Sequence, residues 1–157
     1  MIRRLVAPFI LLCSTLSHSA HADRIGAVDT SWKFLGPDNK IIVESFDDPD
    51  IHGITCYLSR AKTGGLSGAV GVAEDKTEAS LACLATGHIS IASPLPHQQD
   101  IAKIKTSLLF KTLHLVRIID PARQTAVYLT YSDKVIDGSP KNSLSVVPLG
   151  IPVTLRP

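Results

Sequence analysis

What the sequence has little of narrows its chemistry. Three cysteines occur in 157 residues and no two are spaced C-x-x-C, so a thioredoxin-like redox centre has no basis. Beyond residue 22 the histidines are His52, His88, His97 and His114. Their spacing matches no metal-ligand pattern, and each is expected to be an ordinary surface or core residue. No metal and no cofactor is therefore expected. After one apolar run at the N-terminus no second run of about twenty apolar residues follows, which leaves no candidate membrane helix. There is no internal repeat, low-complexity tract or second domain.

The N-terminal run has the layout of a secretory signal peptide. Met1-Ile2-Arg3-Arg4 is a basic n-region, Leu5 to Leu16 an apolar h-region, and Ala20-His21-Ala22 an A-x-A cleavage site. Residues 1–22 are read as the signal and 23–157 as a single domain. Cys13 does not make a lipobox, because Leu12 stands where a small residue is wanted. Removing Arg3 and Arg4 from sixteen basic residues leaves fourteen, against fourteen acidic ones, so the exported domain is formally neutral. Neither nucleic acid nor insertion in a membrane after cleavage is expected of it. The same cleavage removes Cys13. Cys56 and Cys83 then remain in an oxidising compartment, which favours a structural bridge between them.

The stretch Ile54 to Gly71 joins a strand to a glycine-rich loop. Ile54, Cys56 and Leu58 alternate with Thr55, Tyr57 and Ser59, so Cys56 points inward. Before it, Val28 to Phe34 and Lys40 to Phe46 read as a hairpin around Gly36-Pro37-Asp38-Asn39. After it, Asp75 and Glu78 resemble a capping box, Ala79 to Ala85 a short helix carrying Cys83, and Gly87 its stop. Pro94 to Gln99 reads as a loop. Leu108 to Ile119, read as two strands or one bent strand, is apolar on both parities, with Arg117 sharing the parity of Leu113, Leu115 and Ile119, and is expected to be central. Asp120 to Gln124 turns the chain into a returning strand through Val127, Leu129 and Tyr131. Asp137 to Pro140 closes the strand region, and Pro148, Pro152 and Pro157 argue against a regular C-terminal element.

Fragments of known motifs fail on geometry. Ser59-Arg60-Ala61-Lys62 and Lys62-Thr63-Gly64 match S-x-x-K and K-T-G, and Ser132-Asp133-Lys134 approaches S-D-N, but one lysine cannot serve two separated elements. Lys62 to Gly68 has the residue types of a phosphate cradle in the wrong order. Asp48-Pro49-Asp50-Ile51-His52-Gly53 resembles half a calcium loop, yet its twelfth position is Ser59. A solvated acidic turn in which Asp47 or Asp48 bonds nearby amides is the expected use.

TCYLSRAKTGG resembles the CreA family of small periplasmic bacterial proteins. The resemblance takes in Ile25 to Thr30, Gly36-Pro37-Asp38, Glu44 to Asp50, Ser59 to Gly65, Ala73-Glu74-Asp75, Ser107 to Lys111, Tyr131 to Lys134 and Gly138 to Asn142. It implies a periplasmic protein linked by its genetic neighbourhood to a carbon-catabolite response locus with a sensor kinase and a response regulator. It supplies no catalytic residues.

The expected fold is α+β and mostly β, antiparallel hairpins with one short helix tied by the Cys56–Cys83 disulfide. The expected function is that of a non-catalytic domain binding an envelope protein or a small ligand, the alternative being a small periplasmic hydrolase or transferase. The candidate binding residues are Arg60, Lys62, Gly64, Gly65, Asp133 and Lys134, with the two cations at the base of the glycine loop as anion binders and Asp133 as the base of the alternative.

Overall fold

A computed structural model describes residues 22–30, 39–62, 79–106, 112–133 and 141–157. The residues of the signal segment before Ala22, the 36–38 part of the first turn, the capping box at Asp75 and Glu78, Gly64, Gly65 and the rest of the glycine loop, Lys134, and Asp137 to Pro140 lie outside these.

The described chain is all β, in eight strands: β1 (Ala22–Asp29), β2 (Lys40–Asp47), β3 (Ile51–Lys62), β4 (Ala79–Ile91), β5 (Gln98–Lys105), β6 (Thr112–Asp120), β7 (Thr125–Ser132) and β8 (Asn142–Pro148). They form two four-stranded antiparallel meanders, β1-β2-β3-β4 and β5-β6-β7-β8. Phe46, Ile54 and Leu58 of the first sheet join Leu115, Ile119 and Tyr128 of the second in one core. The sheets also meet at a seam. The edge of β4 donates its Leu81 and Cys83 amides to the hydroxyls of Ser143 and Ser145 on β8, at 3.2 and 2.9 Å.

These findings correct the expected α+β class. No helix is present among the described residues, and the segment expected to be helical is β4. Its alanines and leucines favour a helix locally, but Leu81 and Cys83 are buried while Ser80, Ala82 and Leu84 are exposed, a period of two. Pairing with β3 along nearly its whole length overrides the local preference. The disulfide accordingly joins two neighbouring strands, with Cys56 directly opposite Cys83. A second correction is β8: Ser143, Ser145 and Val147 face inward and Leu144 and Val146 outward, and the strand stops only at Pro148. Likewise β5 begins inside the expected loop, at Gln98. As expected, Lys40 to Phe46 forms a strand, within β2, β6 lies between two neighbours, and 121–124 turns it into β7.

The two sheets are pinned by a buried ionic cluster. Arg117 is fully buried on β6 and reaches the β2–β3 turn, where its guanidinium bonds Asp48 and, at 2.9 Å, Asp50; Gln99 accepts a third bond at 2.9 Å. Asp48 Oδ1 also accepts the amides of Asp50 and Ile51, both at 2.9 Å, and Oδ2 accepts the Tyr128 hydroxyl at 2.7 Å. Of Asp47 and Asp48 it is Asp48 that bonds nearby amides, but its carboxylate is buried rather than solvated, because it also anchors the second sheet.

Candidate functional site

Register alone assigns each side chain of the second sheet to a face. On β6 and β7 the pairs Leu113–Ser132, Leu115–Thr130, Arg117–Tyr128 and Ile119–Ala126 face the core, so His114–Tyr131, Val116–Leu129 and Ile118–Val127 face outward. On β8, Leu144 lies beside Leu129 and Val146 beside Val127 on that outward face. Leu144 is 57% exposed and Val146 48%. On this outward face Val127 and Leu129 of β7 and Ile118 of β6 are half-buried and Val116 is 2% exposed, so the open apolar field is confined to β7 and β8.

One end of the field is polar. His114 stacks on Tyr131 with ring centroids 4.8 Å apart and an interplanar angle of 7°. Its Nδ1 lies 3.3 Å from Asp100 and its Nε2 3.0 Å from Asp133. A neutral imidazole donates from only one of its nitrogens, so the tautomer decides which carboxylate is served. Lys103 holds Asp100 from the other side at 3.0 Å. Partial burial raises the Asp100 carboxyl, but the hydrogen bonds and charges of Lys103 and His114 outweigh it and leave the group below its ordinary value. The Lys103 ammonium is raised by the same contact.

An imidazole between two carboxylates can relay a proton. The hydroxyls on the neighbouring strand do not join it, because Thr130 and Ser132 are buried on the opposite face of β7. Among the described residues no three histidine, cysteine, aspartate or glutamate side chains are grouped to hold a metal ion.

The candidate residues separate. Arg60 shares the inward parity of Cys56 and Leu58, and its guanidinium meets Glu44 in a two-pronged pair, Nε to Oε2 at 2.9 Å and Nη2 to Oε1 at 3.2 Å. Both side chains are 13% exposed, so this cation is already neutralised within the protein. Lys62 is exposed at the end of β3, opposite Lys40. Asp133 belongs to the His114 cluster on the outer side of the other sheet. Arg60 and Asp133 thus do not share one site, and Gly64, Gly65 and Lys134 are outside the described residues.

Sequence reasoning passed over His114, Asp100 and Arg117. Arg117 carried a signal, as the one charge on an inward parity of a central apolar strand; nothing in the sequence paired His114 with Asp133.

The family model described as CreA protein matches residues 25–151. The chain belongs to the CreA family. It is 49% identical over 134 residues to Protein CreA in each of three Escherichia coli strains, a span covering 83% of this chain and 85% of each relative. No solved structure matches it.

Proposed function

We propose that this CreA-family chain is an exported, periplasmic domain that acts without catalysis by docking a protein of the cell envelope on the outer face of its second sheet. The observation that carries the reading is the exposed pair Leu144 and Val146 beside Val127 and Leu129, with Asp133 at the end of β7. An apolar centre with a charged rim is the anatomy of a protein interface, and an unneeded apolar surface is costly to leave in water. The N-terminal n-region, h-region and A-x-A site support export, as does a disulfide, which persists in oxidising compartments. The link to catabolite regulation rests on the resemblance alone and is part of this proposal.

A photo-crosslinking residue placed at Val146 of the exported protein should give one discrete adduct with an envelope protein, lost when Leu144→Asp is added. No adduct, or one indifferent to Leu144→Asp, refutes the reading. Intact mass of the exported protein should begin at Asp23; retention of Cys13 with a lipid mass overturns the processing. A second reading, a small periplasmic hydrolase or transferase, is favoured by the His114 cluster alone. It requires His114→Gln and Asp133→Asn to abolish turnover of an envelope substrate while the Val146 adduct persists.

A further inference from the structure

Among the described residues the two open sheets have four edge strands, and the structure disposes of three. β4 and β8 close on each other through Ser143 and Ser145. β5 carries both Lys103 and Lys105, like charges that discourage its pairing with a copy of itself, whereas the similarly bulged β1 carries charges of both signs. β1 is left: it is exposed over nearly its whole length, with Ile25 at 56% and Val28 at 66%.

Its charges are placed unusually. Arg24 lies opposite Glu44 and Asp29 opposite Lys40, and the bulge at Ile25 between them puts both on the inward-facing side of the sheet, although five residues apart they would otherwise face opposite ways. Arg24 has no ion-pair partner among the described residues, and Asp29, 63% exposed, has only a loose contact with Lys40 at 3.8 Å.

We propose that β1 pairs antiparallel with β1 of a second copy about a two-fold axis at Ala27, joining two first sheets into one. On that axis Ala27 faces its copy, Gly26 faces the copy's Val28, and Arg24 faces the copy's Asp29, with Ile25 of each chain as the extra bulge residue. Every pair keeps inward residues against inward and outward against outward. A one-residue shift would break that match along the strand. The symmetry places an Arg–Asp pair at both ends, so the charges that would repel other edges attract this one.

The test uses the full chain, expressed for export and purified without reductant. Sedimentation velocity over a wide concentration series should show a reversible dimer. Arg24→Glu or Asp29→Arg alone should weaken it about tenfold, and the two together should restore it in part, since the double swap rebuilds both intermolecular pairs while setting like charges beside Glu44 and Lys40 within each chain. Ala27→Cys should crosslink to its own copy under mild oxidation, whereas Lys103→Cys on β5 should not. Circular dichroism identifies any variant that fails to fold, and Ala27→Cys then decides without the charge changes. A monomer throughout the series, a double swap no better than either single, or no crosslink at Ala27→Cys overturns the proposal.

Discussion

Asp48→Asn isolates the clasp between the sheets. The carboxylate receives four donors, the Asp50 and Ile51 amides, the Arg117 guanidinium and the Tyr128 hydroxyl, and its side chain is fully buried. Asparagine keeps the size but offers one accepting oxygen, so its amide group must face a donor. It also withdraws the buried counter-charge from Arg117, whose side chain has no exposed surface. Removing one member of a buried pair costs about 3–5 kcal/mol, and because Asp50 and Gln99 still hold Arg117 the lower end applies, about 3 kcal/mol. That is a large share of the roughly 5–15 kcal/mol of a whole domain. Urea unfolding followed by circular dichroism should show the midpoint falling by about 1 M or more with the slope unchanged. Adding Arg117→Met removes the stranded cation, so the double variant should lose less than the sum of the singles. A loss under about 1 kcal/mol, or strict additivity, would refute the clasp as a coupled unit.

Gly53→Ala should destabilise by roughly 2–3 kcal/mol, because φ is +81° and a Cβ there would sit 2.4 Å from the His88 carbonyl oxygen; a melting temperature equal to that of the parent protein contradicts this. Replacing Cys56 or Cys83 should cost about 2–5 kcal/mol, and unreduced protein should show no alkylatable thiol at either position. Burial first, then the neighbouring charge of Asp48, pushes the Tyr128 hydroxyl well above its ordinary 10.0. Its contribution is therefore complete below about pH 10 and is lost as pH rises, since the unfolded chain then gives up a proton the folded chain keeps. Unfolding free energies measured between about pH 8 and 11 should fall less steeply in Tyr128→Phe, and parallel slopes would assign the decline to other groups.

The sequence by itself determined what depends on near neighbours. The alternation of Ile54, Cys56 and Leu58 set the face of β3, the two-sided apolar run set the central position of β6, and Asp47 or Asp48 could be read as an acceptor of nearby amides. All three are local consequences of strand geometry or turn chemistry. Tertiary structure alone decided the rest. Ala79 to Ala85 has a composition that a helix would accept, and only the ladder with β3 and the serine contacts from β8 make it a strand. Arg60 reads as a free cation until Glu44, sixteen residues away, is set against it across two strands. Arg117 meets Asp48 across 69 residues, and His114 meets Asp133 across 19 through the return of a hairpin. Such pairings follow from which strands become neighbours and in what register, and a charge carries no mark in the sequence of the partner that folding brings to it.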